Sequence, residues 1–294
     1  APETIRYEHL KTLSDWNVNL VRAQLVRNWG AVGTETDLAE YDRWLNGKLD
    51  DLEKALEWAK EFGIKFVIDL HCLPGGRNTA GSMRMFSEEK YGDHFIEVWK
   101  RISRRFRNHP QIYAYNLVNE PLQFLPAPAG YDYWNLQRRA AEAIRKIDAE
   151  TPIMIESNIA DRAETYVYLS PLAMHNIIYK VHMYVPGAFT HQRLQGKERI
   201  RKELQPVLEF QKRHNCKIYV GEFSAIRWAP GAERYLEDCI SIFEEYGWDW
   251  TYHAFREWNG WSVEHTENPQ DNEPAQTDTA RKKVLLKYFK RNQR

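Results

Sequence analysis

The sequence predicts an α/β protein folded as a (β/α)8 TIM barrel that lacks a recognisable first strand. Short, nearly continuous apolar segments alternate with longer amphipathic segments along all 294 residues. This alternation is typical of parallel strands joined by helices. A doubly wound sheet is the other arrangement of this kind, but no glycine-rich phosphate loop follows an early strand. A barrel also fits the chain length, so we expect one domain over residues 1–294.

Seven apolar segments rich in valine, isoleucine, tyrosine and phenylalanine are the predicted strands. They are Asn19–Leu25, Lys65–Leu70, Ile112–Val118, Pro152–Glu156, Ile177–Met183, Lys217–Phe223 and Asp249–Phe255. A barrel of this kind needs an eighth strand, yet a helical pattern from Ile5 to Leu13 precedes the first segment. That strand is either missing or not recognisable. If it is missing, the first and last segments have open edges, through which the chain could self-associate.

Helical periodicity fills the stretches between the strands. Leu49, Leu56 and Phe62 lie on one face of a helix that ends at Gly63, and a later helix ends at Gly247. Glycine is common just after a helix because it adopts the left-handed conformation at little cost. The remaining helical faces are marked by Phe95, Val98, Ile102 and Phe106; Ala140, Ala143 and Ile147; Leu204, Val207 and Leu208; Leu236, Cys239, Ile242 and Phe243; and Val284, Leu285, Tyr288 and Phe289.

Composition narrows the class of partner. Lysine and arginine together number 41, as do aspartate and glutamate, so the net charge is zero. A nucleic acid is therefore not expected as a partner. No apolar run has the length of a membrane span, and no membrane association is expected. Three cysteines without a close pair exclude a complete disulfide framework and a zinc knuckle. The residues from Ala1 onward lack a basic segment followed by an apolar one, so no signal peptide is expected among them, and a secreted or periplasmic location after signal removal is favoured.

Polar residues lie where the predicted strands end, and barrel enzymes place their active sites there. The strand ends supply Arg22, Asp69 with His71, Asn119 with Glu120, His182 with Tyr184, Glu222, and Trp258. Two carboxylates from different strands are the minimum for cleaving a glycosidic bond. One must keep a proton and the other must stay ionised. Arg22 is suited to holding a carboxylate ionised through charge-assisted hydrogen bonds.

This ordered set resembles glycoside hydrolase family 5, which contains cellulases, mannanases and their relatives. The resemblance extends from about Thr4 to Trp261. Asn119-Glu120-Pro121 resembles the acid/base motif of the family, and Gly221-Glu222-Phe223 resembles its nucleophile motif. The missing first strand is a departure from the family.

The resemblance implies a retaining hydrolase that needs no cofactor and cuts internal β-1,4 linkages of a plant polysaccharide. β-Glucan or cellulose is the favoured substrate, with mannan or xylan as alternatives. Glu120 is the implied acid/base and Glu222 the implied nucleophile. The implied supporting roles are: Asn119 on the sugar 2-hydroxyl, His71 on a neighbouring hydroxyl, Arg22 and Tyr184 orienting Glu222, His182 beside the carboxylates, and Trp258 stacked under the sugar.

Further residues near the strand ends are candidates for lesser roles. Three tryptophans in loops beyond the strands would form outer sugar subsites or pack internally: Trp29, Trp228 and Trp261. Asp69 is interpreted as support for the site. Three other glutamates are interpreted as structural: Glu156, Glu257 and Glu264.

Two other classes of function compete with this interpretation. A metal-dependent barrel hydrolase would need clustered ligands. His71 and His182 are available, but no His-x-His occurs, so no metal is expected. A non-catalytic carbohydrate-binding barrel would be expected to have lost one carboxylate, and this chain keeps both.

Overall fold

The computed structural model describes residues 4–28, 30–184 and 196–292. Seven parallel strands form one sheet in which each strand pairs with the next along the chain. The strands are β1 (Leu20–Gln24), β2 (Lys65–Asp69), β3 (Ile112–Asn116), β4 (Ile153–Glu156), β5 (Ile177–Met183), β6 (Lys217–Phe223) and β7 (Asp249–Trp250). The sheet curls as in a (β/α)8 barrel, and the predicted fold class with seven strands is confirmed.

Helices connect the strands and cover the outside of the sheet. They are α1 (Tyr7–Asp15), α2 (Leu38–Phe62), α3 (Glu89–Phe106), α4 (Tyr133–Arg145), α5 (Lys197–His214), α6 (Ala232–Tyr246) and α7 (Ala280–Phe289). Asp37 begins α2, because its carboxylate accepts the free N–H groups of Ala39 and Glu40. Gly63 ends α2 and Gly247 ends α6, both in the left-handed conformation, as the sequence predicts.

Side chains that point into the barrel form two layers of different character. The lower layer is apolar and consists of Val67, Ala114, Met154, Ile178 and Tyr219, all buried. Above it, toward the C-terminal ends of the strands, buried polar and charged side chains replace the apolar ones. The much larger apolar core lies between the outer face of the sheet and the helices. The barrel is therefore packed at one end and polar at the other, which positions the candidate site.

The sheet does not close on itself. β1 and β7 are the two ends of the strand order, and the described residues supply no strand between them. A cavity of about 290 Å³ lies along the opening, lined by both strands and by α1 and α7 through Leu10, Trp16, Leu285 and Phe289. The strands beside the opening are the two named from sequence.

The last strand and the first helix differ from the predicted bounds. A strand over Asp249–Phe255 was expected, but β7 ends at Trp250. The following backbone still donates to β6, from Thr251 to Val220 and from His253 to Phe223. Since β7 has no neighbour on its other side, nothing keeps this stretch in a regular ladder. The first helix begins at Tyr7, two residues after Ile5. Within the described residues, none of the helices combines the length and apolar character that crossing a membrane requires.

Candidate active site

Glu120 and Glu222 come together at the C-terminal end of the barrel. Glu120 follows β3, and Glu222 is the penultimate residue of β6. A carboxylate oxygen from each and a ring nitrogen of His182 all lie within 4.8 Å of one another. His182 lies between them, with Nδ1 2.9 Å from Oε1 of Glu120 and Nε2 3.8 Å from Oε1 of Glu222. The structure thus brings the predicted pair and the predicted histidine into one cluster.

Glu222 is surrounded by groups that favour its ionised form. Arg22 donates from Nη1 to Oε1 at 2.5 Å, and the hydroxyl of Tyr184 donates to Oε2 at 2.9 Å. Nδ1 of His253 lies 3.8 Å from Oε2. Burial alone would raise the pKa of Glu222, but the adjacent His182 and His253 and the guanidinium of Arg22 outweigh it, and the pKa lies well below its usual range. Burial also lowers the pKa of His182 well below its usual value. At neutral pH His182 is therefore uncharged, and Arg22 supplies a permanent positive charge in contact with Glu222.

The pKa of Glu120 is shifted in the opposite direction from that of Glu222. Its side chain is about one-sixth exposed. Burial first, and the negative charge of Glu222 second, raise the pKa of Glu120 to about 8. One carboxyl group therefore holds a proton at neutral pH while its neighbour is ionised, which is the split that acid/base chemistry on paired carboxylates needs.

Arg22 connects the two sides of the site. Besides Glu222 it contacts Oδ2 of Asp69 at 2.9 Å and donates to Oδ1 of Asn119 at 2.7 Å. Asp69 in turn lies 2.7 Å from Nδ1 of His71, and Nε2 of His71 lies 3.2 Å from Nδ2 of Asn119. This ring of contacts fixes the rotamers of the predicted sugar-binding residues. Asp69 supports the arrangement from below, as the sequence suggested.

Aromatic side chains extend outward from Glu222. The ring of Trp261 lies 6.0 Å from that of Tyr184 and 6.3 Å from that of His253. Trp258 packs edge-on against Trp261 at 5.3 Å and against Trp228 at 6.0 Å. Trp258 is 48% exposed. Among the predicted stacking residues, Trp261 therefore lies beside the two rings next to Glu222, and Trp258 packs on Trp261. Trp29 lies outside the described residues.

Sequence reasoning missed two members of the site. His253 was counted as part of a long last strand, but because β7 ends at Trp250 it already lies at the rim, beside Glu222. Asn116 accepts from Nε of Arg22 at 3.1 Å. Each is a polar residue within a segment predicted as a strand, and that pattern was the available signal.

The glutamates interpreted as structural have partners. Glu156 forms a fully buried ion pair with Lys180. Glu264 accepts from Arg256 at 2.9 Å. Glu257 lies 3.5 Å from Nε2 of His253, which brings it to the edge of the site.

Two groups of side chains among the described residues have the spacing of metal ligands. They are Glu120 with His182 and Glu222, and Glu156 with Asp161 and His182. In each group a cationic side chain already contacts a carboxylate, Arg22 in the first and Lys180 in the second. A neighbouring positive charge opposes binding of a metal cation, so the donor sets fit a metal poorly.

Known proteins similar to this chain share its fold and its family. Endoglucanase C of Acetivibrio thermocellus is 25% identical over an alignment of 296 positions that covers 84% of each chain. Cellodextrinase A of Ruminococcus flavefaciens is 26% identical over 191 residues, 64% of this chain and 54% of the relative. A hyperthermophilic endo-β-1,4-glucanase solved with substrate superposes with a TM-score of 0.73 at 20% identity, over 96% of this chain and 90% of that one. Cel5A of Thermotoga maritima solved with mannotriose superposes with a TM-score of 0.72 at 21% identity, over 97% of this chain and 90% of that one.

The cellulase family model, glycosyl hydrolase family 5, matches residues 4–259. This chain is therefore a glycoside hydrolase that belongs to glycosyl hydrolase family 5.

Proposed function

We propose that this chain is a retaining endo-β-1,4-glucanase in which Glu120 is the acid/base and Glu222 the nucleophile. The observation that carries the proposal is the close approach of two carboxylates with opposite pKa shifts. Their nearest oxygens lie within 4.8 Å. Retaining enzymes hold the two carboxyl groups about 5–5.5 Å apart, whereas inverting enzymes leave about 6.5–9.5 Å for a water molecule.

The reaction would proceed in two displacements. Ionised Glu222 attacks the anomeric carbon while protonated Glu120 gives its proton to the leaving glycosidic oxygen. The glycosyl group is then bonded to Glu222, whose negative charge has disappeared. Since that charge helps to raise the pKa of Glu120, its loss makes the ionised form of Glu120 more favourable. Glu120 can then take a proton from water, which attacks the anomeric carbon and releases Glu222.

Supporting roles follow from the contacts. Arg22 and Tyr184 orient Glu222 and keep it ionised, since each donates to a different oxygen. His182 is neutral because burial lowers its pKa, so its Nδ1 can share the proton of Glu120. Asn119 and His71, which contact each other at 3.2 Å, are assigned to sugar hydroxyls.

β-1,4-Glucan is the proposed substrate, and the names of relatives support it. Endoglucanases and a cellodextrinase recur among them, and the Cel5A of Thermotoga maritima has been solved with cellobiose. The mannotriose complex of the same protein makes β-mannan a second candidate. Trp258, Trp261 and Trp228 offer ring faces on which either sugar chain can stack.

A substrate screen with matched variants tests the proposal. The wild type is incubated with carboxymethylcellulose, mannan and xylan, and the anomeric form of the first product is followed by NMR. We expect shortened glucan chains with the β-configuration retained. Glu120→Gln and Glu222→Gln should each remove nearly all activity while the fold persists by circular dichroism. Glu164→Gln, which changes an exposed carboxylate in the 3-10 helix Ala163–Tyr168, is the control. An inverted first product would contradict the mechanism, and full activity in either site variant would contradict the assigned roles.

A further inference from the structure

Glu156 lies directly beneath Glu120 and is fully buried at the end of β4. Its Oε2 accepts the backbone N–H of Glu120 at 2.8 Å. Its Oε1 accepts from Nδ2 of Asn116 at 2.6 Å and pairs with Nζ of Lys180. The carboxylate therefore joins the backbone of the acid/base residue to a buried cation.

Lys180 is also fully buried, and the neighbouring strand leaves room for it. A Cβ atom at Gly221 would collide with Cε of Lys180. The register between β5 and β6 shifts at Val181/His182, opposite that glycine. A buried lysine is costly unless it is paired. Here the ammonium group of Lys180 donates hydrogen bonds to Glu156 and, at 3.2 Å, to Oδ1 of Asn116. Residues of four neighbouring strands, β3 to β6, thus form or accommodate this pair.

The backbone of Glu120 needs such support. Its φ is 52°, in the left-handed region that residues with a side chain rarely adopt. Such a conformation persists only where the surroundings hold it. The hydrogen bond from its N–H to Glu156 is a direct restraint on that conformation, and hence on where the carboxyl group points.

The pair also acts on Glu120 electrostatically. The negative charge of Glu156 raises the pKa of Glu120 and the positive charge of Lys180 lowers it, so the two partly cancel. Asp161 lies beside Glu156, and burial and the Glu156 charge raise its pKa well above the usual range. Its protonated, uncharged form is therefore favoured. Among the described residues, the other titratable and charged groups facing Glu120 are Glu222, Arg22, His182 and Tyr184.

We propose that Glu156 and Lys180 are a positioning pair for the acid/base residue. Glu156 holds the backbone N–H of Glu120, and Lys180 balances the charge that this restraint brings under the site. The inference rests on the proposed role of Glu120.

Two double variants isolate the restraint. Glu156→Gln with Lys180→Met removes both charges but keeps an acceptor for the N–H of Glu120. Glu156→Leu with Lys180→Met removes the acceptor as well. Neither leaves an unpaired buried charge, so both should fold, which circular dichroism and melting curves check. We expect kcat to be at least about tenfold lower in the leucine variant than in the glutamine variant, with KM similar, because small misplacements of a reacting group slow chemistry.

One single variant tests the charge balance. Glu156→Gln alone removes the negative charge that raises the pKa of Glu120 and leaves the positive charge of Lys180, which lowers that pKa. The pKa of Glu120 should fall, and the basic limb of the pH profile of kcat/KM should move to lower pH. In the double variant Glu156→Gln with Lys180→Met, the basic limb should return toward its original position. A purely structural pair would lower the melting temperature without moving this limb.

The outcomes separate this inference from the proposed function. Equal kcat in the two double variants overturns the positioning role of Glu156, and an unmoved basic limb in Glu156→Gln overturns the charge-balancing role of Lys180. Activity retained in Glu120→Gln would instead overturn the acid/base assignment, whatever the Glu156 variants do.

Discussion

The hydroxyl of Tyr184 is the simplest group whose removal tests how Glu222 is kept ionised. It donates to Oε2 of Glu222 at 2.9 Å. Burial and the charge of Glu222 raise the pKa of Tyr184 well above its usual value, so the hydroxyl keeps its proton and stays a donor. Tyr184→Phe removes one oxygen and leaves the ring that packs near Trp261.

The size of the effect follows from the charge on the acceptor. A hydrogen bond to a charged group contributes about 1.5–3 kcal/mol, and one pKa unit corresponds to about 1.4 kcal/mol. Because the bond favours the ionised form, its loss should raise the pKa of Glu222 by about one to two units. The nucleophile is then protonated over a wider acidic range. The acidic limb of kcat/KM should move to higher pH by that amount.

The assay is kcat/KM measured across pH on a soluble cello-oligosaccharide. Tyr131→Phe is the matched control, since its hydroxyl donates at 2.9 Å to Asp93, an exposed carboxylate outside the site. The control should keep the wild-type profile. An acidic limb that stays in place in Tyr184→Phe, in a folded and measurable enzyme, would refute the reasoning.

Three further predictions follow from the same geometry. Arg22→Leu should lower kcat by at least about 100-fold because it removes the charge beside Glu222; steady-state kinetics showing normal kcat with only a raised KM would contradict this. Gly221→Ala should lower the free energy of unfolding by about 1–3 kcal/mol, because its Cβ would collide with Lys180; Gly47→Ala, whose Cβ would meet open space, is the control in thermal melts. The open edges of β1 and β7 should cause concentration-dependent self-association, which light scattering after size exclusion measures; a monomer at every concentration would count against it.

Most of the strand pattern was accessible from the sequence, because parallel strands covered on both faces must be apolar along their length. That rule located β5 and β6 with the bounds that the structure has. It overextended the last strand to Phe255, since apolar character continues where the ladder has already ended at Trp250. Where the ladder of the last strand ends depends on pairing within the whole sheet, which the residues of that segment do not show by themselves.

The linear sequence by itself determined that two carboxylates, Glu120 and Glu222, would stand at the ends of different strands of one barrel. Alternating apolar segments impose parallel strands, and parallel strands bring their C-terminal ends to one rim. Only the tertiary structure decided that His253 lies beside Glu222 and that Glu156 and Lys180 lie under Glu120. Those contacts depend on strand register, on the bulge at Gly221 and on where β7 ends. Each is set by packing between segments far apart in the chain.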